Sequence, residues 1–297
     1  MQLIRKIMVE NRYSGNGWDF EKTTKYILGF ENYQLEAGYF EHYCDDVFVK
    51  AVVELPVSYG CPAHCKFCAT SAIEAFRELK SEQMREILEY IWTEQELDDK
   101  EYVLLSVTGT GDLYFNFSNV IEFLSGLTTY KNLHVTLSSC LWNKEDLKKI
   151  EEFSERISIR NIQITYVSAQ NEQMGKLIPI YLQRKSNFDE IIEYIGISAK
   201  SYYRVNYIMI RGINDSEEDF REFSNKIEVV KDKVVVRISK LNETAATERN
   251  NLYPPILEKM GQFQNILESA GINCYLFYAF KNDHMNCGQL ITEDRFR

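Results

Sequence analysis

The chain has 297 residues, room for one large domain or two ordinary ones, and its apolar content of 45% is that of an ordinary globular protein. Its 44 acidic residues outweigh 34 basic ones for a formal charge of −10, with no long basic run, which argues against a broad phosphate-binding surface. There is no signal-peptide-like opening and no apolar run near the about 18 residues of a membrane span, and an odd count of 7 cysteines suits a reducing cytoplasm better than an oxidising exterior.

Residues 1–46 show no strand–helix alternation and are expected to form a small N-terminal extension. From residue 47 onward, β-branched runs alternate with amphipathic segments. Val47–Ser58 reads as a strand, followed by a cysteine-bearing loop and a helix near Ser81–Glu96 with Met84, Ile87, Leu88 and Ile91 on one face. Strand Tyr102–Val107 precedes helix Ser118–Leu127, and strand Leu133–Ser139 precedes helix Lys144–Phe153. Strand Ile162–Val167 leads through a longer loop to a helix at Phe188–Ile197. Strand Tyr203–Ile210 is followed by helix Ser216–Ile227, with Asp215 or Ser216 as its N-cap. Strand Val234–Ser239, a proline-opened helix Pro254–Glu268 and a last strand Ile272–Phe277 end the series. Repeated βα units with short connections predict an α/β fold, a partial (βα)6 TIM-like barrel over residues 47–297.

Such a barrel places its site at the carboxyl ends of the strands. The loop after the first strand carries Cys61, Cys65 and Cys68 in a C-x3-C-x2-C spacing, with Phe67 before the last cysteine. Three closely spaced thiolates can each hold one iron of a [4Fe-4S] cube and leave the fourth iron open to the amino and carboxylate groups of S-adenosylmethionine (SAM). One electron then breaks the sulfur–C5′ bond of SAM and gives a 5′-deoxyadenosyl radical. The alternative is a zinc site, but structural zinc takes four ligands, usually in two pairs, and no second C-x2-C pair follows; His64 is read as a loop residue.

The loop after the second strand, Thr108-Gly109-Thr110-Gly111-Asp112, is short and glycine-rich. Gly109, Thr110, Gly111 and Asp112 are candidates to bind the SAM ammonium, through backbone carbonyls and the Asp112 charge, or else form an ordinary βα turn. The Lys-Ser/Thr ending of a phosphate loop is absent. Ser138 ends the third strand and Asn242 follows the sixth; both are candidates for the SAM carboxylate or ribose, with simple capping as the alternative. Cys140 and Cys274 read as core or strand-end thiols, and Cys44 as a surface thiol.

The cysteine spacing with Phe67 is similar to that of the radical SAM superfamily. Several segments together resemble its RlmN/Cfr-type members, which methylate adenosine carbons in RNA. These are Tyr59-Gly60-Cys61 through Cys68-Ala69-Thr70, Gly109-Thr110-Gly111-Asp112-Leu113, Leu177-Ile178-Pro179, Gly212-Ile213-Asn214-Asp215-Ser216 and Asn286-Cys287-Gly288-Gln289-Leu290. The resemblance implies that Cys287 is a methyl carrier: it takes a methyl from one SAM, and the radical made from a second SAM removes hydrogen from that S-methyl group. It also implies a resolving cysteine seven residues before Cys61, where this chain has Glu54, an acid or base of unassigned duty. The family's Ser-Leu-His-Ala reads Tyr166-Val167-Ser168-Ala169 here, so its His is missing, and the N-terminal extension is far shorter than the family's RNA-binding domain. Glu36 resembles the family's substrate-side glutamate if about five residues are inserted after it.

The chain is therefore expected to be a cytoplasmic radical SAM enzyme that carries one carbon through Cys287 to an unactivated carbon, on a substrate other than ribosomal RNA. Direct hydrogen abstraction from a small molecule or peptide, and methylation of an RNA adenosine, are the alternatives. The expected partners are a small-molecule, nucleoside, peptide or RNA substrate and a low-potential electron donor such as flavodoxin or ferredoxin, with no membrane.

Overall fold

Antiparallel hairpins, not loose chain, precede the alternating pattern. In the computed structural model, which describes residues 1–12, 18–168, 170–183, 187–278 and 287–292, strands β1 (Gln2–Arg12), β2 (Phe20–Phe30) and β3 (Tyr33–Cys44) pair in sequence. β3 pairs antiparallel with β4 (Val47–Glu54), placing Gly38 opposite Glu54 and His42 opposite Lys50. The expectation of a small N-terminal extension over residues 1–46, outside the βα alternation, did not include these strands. β2 and β3 bury polar side chains, among them Glu21, Thr23, Thr24, Lys25, Glu36 and His42, and so lack the apolar–polar alternation that marks a half-buried strand.

The predicted first strand stops at Glu54 because Pro56 has no amide to donate. The chain bends there and resumes as β5 (Ser58–Tyr59), which pairs with β6 (Arg77–Glu78) after the cysteine loop. Helix α1 (Ser81–Glu94) buries the predicted face of Met84, Ile87, Leu88 and Ile91. Then follow β7 (Val103–Val107), α2 (Phe117–Ser125), β8 (Leu133–Ser139), α3 (Lys144–Phe153) and β9 (Ile159–Tyr166). The long loop after β9 contains a helix that periodicity did not reveal, α4 (Asn171–Leu177), before α5 (Phe188–Ile197). β10 (Tyr203–Met209), α6 (Glu217–Glu228, capped by Ser216) and β11 (Val234–Lys240) complete the predicted units.

A short α7 (Ala245–Arg249) precedes α8 (Leu257–Ser269) and β12 (Cys274–Phe277), and α9 (Gln289–Thr292) lies near the C-terminus. α8 corrects the expectation of a helix opened by Pro254. Arg211 N donates to Tyr253 O (2.9 Å) and Arg211 Nε to Pro254 O (3.0 Å), so the two prolines stay in a loop and the helix begins at Leu257.

The sheet runs β1-β2-β3-β4-β7-β8-β9-β10-β11-β12, parallel from β4 onward. This is the expected partial barrel of six strand–helix units and a last strand, with the antiparallel hairpins continuing it beyond β4. Apolar side chains fill the layer between the parallel strands and the helices. The inward positions are different: Lys50, Ser106, Gln163, Arg204 and Arg237 line an open polar lumen. Among the described residues no helix is long and apolar enough to cross a membrane. Ala169 and Asn286, part of the sequence resemblance, lie outside the described residues.

Candidate active site

One cavity of about 680 Å³ opens at the carboxyl ends of the parallel strands, and Cys61, Cys65 and Cys68 line it together. The loop that carries them is tied down on both sides. Lys66 N donates to Leu177 O (2.9 Å), at the end of α4, and Asn250 Nδ2, beyond α7, donates to Lys66 O (3.0 Å). Tight turns fold the loop on itself, with His64 N to Cys61 O (3.4 Å) and Cys68 N to Cys65 O (3.1 Å). His64 takes a left-handed φ of 46° and is exposed, as a turn residue would be.

Burial, then the Asp112 charge, pushes the Cys61 thiol far up, and burial followed by the Cys65 thiol pushes Cys68 up to about 11. The three are free thiols, and among the described residues no three His, Cys, Asp or Glu side chains gather as a single metal ion requires. Ligands that each take a different iron of a cube need no such common point, so the set fits a [4Fe-4S] cluster better than zinc.

The glycine loop forms the next wall. Gly109, Gly111 and Asp112 face the cavity, whereas the Thr110 side chain is fully buried and gives its hydroxyl to Ser58 O (3.1 Å). Thr110 O is taken by Val57 N (2.9 Å) and Ser58 N (3.3 Å). The glycines are needed on this inner side. A Cβ at Gly109 would lie 2.7 Å from the Leu55 carbonyl, and one at Gly111, where φ is +94°, would lie 2.0 Å from Ser58 Oγ. Gly111→Ala is therefore expected to destabilise the protein by about 2–3 kcal/mol. Urea unfolding checks this, and adding Ser58→Ala should recover only the steric part.

Asp112 ties this loop to the end of β8. It accepts from Tyr114 N (2.9 Å), Ser139 Oγ (2.6 Å) and Cys140 N (3.0 Å). Ser138 and Asn242 also line the cavity, and Ser138 Oγ accepts from Gln163 Nε2 (2.9 Å). Gln163 was not singled out by sequence. Its side chain lines the same cavity, while its Oε1 is a buried acceptor without a hydrogen-bond partner. Cys140, expected to be a core or strand-end thiol, lies beside Cys65 on the cavity wall.

Cys287 arrives from the other end of the chain. Its Sγ lies 3.5 Å from Thr108 O, and Gly288, at φ +75°, is wedged so that a Cβ would meet Thr70 Oγ1 at 2.8 Å. The Cys287 segment is therefore clamped between the cysteine loop and the glycine loop. Glu36 anchors it: Gly288 N donates to Oε1 (3.2 Å) and Leu290 N to Oε2 (3.0 Å). Behind Glu36 the fully buried Lys25 bridges Glu36 Oε1 (3.1 Å) and Glu54 Oε2 (2.6 Å). Burial pulls the Lys25 ammonium down, but Glu54 and Glu36 outweigh it and hold it charged. Burial, then the Glu54 charge, pushes the Cys287 thiol well above its ordinary value, with Lys25 opposing. Sequence alone gave no sign of Lys25; a lysine inside a strand is ordinarily read as solvent-facing.

The Radical SAM superfamily model matches residues 55–224, which hold the cysteine loop and the glycine loop. The chain belongs to the radical SAM superfamily. It is 30% identical to a probable dual-specificity RNA methyltransferase RlmN of Pseudothermotoga lettingae, over 91% of this chain and 76% of that protein. Its fold is similar to that of a radical SAM methyltransferase from Sphaerobacter thermophilus, with a TM-score of 0.73 at 18% identity, covering 97% of this chain and 80% of the other. SuiB of Streptococcus suis, solved with SAM bound, shares the fold at a TM-score of 0.55 and 12% identity over 81% of this chain and 52% of its own. The protein is thus a radical SAM enzyme of the RlmN/Cfr-like kind, and radical SAM enzymes use a [4Fe-4S] cluster and SAM.

Proposed function

We propose that this radical SAM enzyme carries one carbon through Cys287 to an unactivated carbon of a substrate other than ribosomal RNA. The observation that carries the reading is the delivery of Cys287, from the far end of the sequence, to the cavity wall shared with Cys61, Cys65 and Cys68. When bound, the cluster and SAM supply one-electron cleavage of a carbon–sulfur bond and, from a second SAM, a methyl group.

The chain's residues do the rest. Cys61, Cys65 and Cys68 hold the cluster. Gly109, Gly111, Asp112, Ser138 and Asn242, joined by Gln163, form the wall against which SAM lies. Glu54, whose charge acts most strongly on the Cys287 thiol, is the acid or base nearest in effect to that thiol and is held by Lys25. Glu36 and Lys25 keep Sγ in place.

Two features support a substrate other than ribosomal RNA: the charge of −10, and Glu54 at the position where the RlmN/Cfr pattern has its resolving thiol. Glu54 also favours a second reading, direct hydrogen abstraction from the substrate with no carrier. The seven free thiols among the described residues support a reducing, cytoplasmic setting with a low-potential donor such as flavodoxin or ferredoxin.

The test uses SAM labelled in its methyl group. Reconstituted enzyme is expected to yield Cys287 carrying one labelled methyl by peptide mass spectrometry, and Cys287→Ala to lose product while still forming 5′-deoxyadenosine. Full product formation by Cys287→Ala would move the assignment to direct abstraction.

A further inference from the structure

The cavity does not end at the cysteines. It continues down the lumen to Lys50, Arg204 and Arg237, on β4, β10 and β11. Lys50 lies four residues before Glu54 on β4, roughly 13 Å along the strand. Among the described residues, no carboxylate forms an ion pair with any of the three. Glu21, a carboxylate that also lines the cavity, is engaged by His42 Nε2 (2.7 Å) and Thr23 Oγ1 (2.6 Å).

The three cations make do with neutral groups. Arg237 Nε donates to Asn206 Oδ1 (2.9 Å), and its guanidinium lies 4.5 Å from the centre of the Phe277 ring. Lys50 Nζ lies 4.9 Å from the Trp18 ring centre. Arg204 reaches Tyr275 Oη (3.4 Å), and its Nε is buried without a partner. Burial, then the charge of Arg204, pulls Lys50 down to about 8, and the same two causes pull Arg237 down to about 10. Three like charges gathered in a half-buried lumen repel one another unless a ligand compensates them. Two guanidiniums with free donors are suited to forked hydrogen bonds with an oxyanion.

We propose that the lumen binds the anionic end of a small substrate, a carboxylate or a phosphate monoester, held by Arg204, Arg237 and Lys50. The proposal rests on the reading of this cavity as the active site, and it narrows the substrate to a small acid whose reactive carbon projects toward Cys287.

The test is thermal melting of the anaerobically reconstituted protein with inorganic phosphate or succinate at about 10 mM, against sodium chloride of equal ionic strength. One of the two anions is expected to raise the melting temperature by about 3 °C or more over chloride. The larger shift identifies the charged group as phosphate or carboxylate. The double variant Arg204→Gln/Arg237→Gln is expected to melt higher than the parent in chloride, because it removes uncompensated like charge, and to lose the anion shift. Arg237→Lys keeps the charge without the fork and should need several-fold more anion for the same shift.

Shifts no larger than chloride's, or a shift retained by the double variant, would overturn the proposal. So would a short RNA oligonucleotide that shifts melting where both small anions fail. Formation of 5′-deoxyadenosine from SAM, measured on the same preparation, separates the two levels. SAM cleavage without an anion shift removes the anion site and leaves the enzyme reading intact; an anion shift without SAM cleavage does the reverse.

Discussion

Replacing any one of Cys61, Cys65 or Cys68 with alanine is expected to reduce SAM-dependent formation of 5′-deoxyadenosine to background while leaving the chain folded. The metal-free geometry explains why the two effects separate. Burial and Asp112 push the Cys61 thiol far up, and burial and Cys65 push Cys68 up to about 11, so without iron Cys61 and Cys68 are neutral thiols that bear little of the fold's stability. The loop's conformation comes instead from backbone bonds, Lys66 N to Leu177 O and Asn250 Nδ2 to Lys66 O, which alanine leaves in place. Iron binding needs thiolates, so loading releases protons and reconstitution of the parent protein should be faster at pH 8.5 than at pH 6.5. Iron and sulfide content, the visible spectrum and far-UV circular dichroism, measured together on the three variants, check the expectation. Undiminished 5′-deoxyadenosine formation by any of them would remove that residue from the cluster.

The parallel half of the barrel was legible because each strand there is apolar on the face that meets its helices. α3 and α5 fall at the bounds their periodicity predicts, and α6 begins at the predicted Ser216 cap. The cysteine loop was legible because its chemistry is compressed into eight consecutive residues. The N-terminal strands were not, because their inner face carries Lys25, Glu36 and His42 in place of an apolar stripe. The role of the glycine loop was half legible. Its position at the cavity was predicted, but Gly109 and Gly111 are demanded by the Leu55 carbonyl and Ser58 on the inner side, a long-range packing constraint that no local pattern records. Glu36 and Glu54 could be marked from sequence, one by resemblance and the other by its place before Cys61. What joins them is Lys25 on β2, and that depends on the pairing of β2, β3 and β4, which the sequence reading did not foresee.

Lys25→Met is accordingly the substitution expected to cost the most stability, on the order of 3–5 kcal/mol, since it leaves buried carboxylates without their counter-charge. Lys25 is fully buried, and it sits 2.6 Å from Glu54 and 3.1 Å from Glu36, so methionine fills the space but neutralises neither. Burial already pushes the Glu36 carboxyl up in the parent, with Lys25 as the main group pulling it back. Without Lys25 the paired carboxylates must hold a proton to remain inside. The sign follows. A carboxyl whose folded pKa is raised contributes stability below its unfolded value and loses it as pH rises through the folded value. The deficit of the variant should therefore be larger at pH 8 than at pH 5.5, and urea unfolding at both values measures it. Adding Glu54→Gln removes one of the stranded charges and should restore a large part of the loss, a coupling that simple loss of packing would not show. The functional consequence travels through Glu36, whose two oxygens hold Gly288 N and Leu290 N. Once Glu36 takes a proton it accepts less well, the Cys287 segment loses its anchor, and alkylation of Cys287 by iodoacetamide, slow in the parent because burial keeps it a thiol, should accelerate toward the rate of the exposed Cys44. Equal stability of parent and Lys25→Met at pH 8, with unchanged labelling of Cys287, would mean that the carrier cysteine is positioned by something other than this buried ion triad.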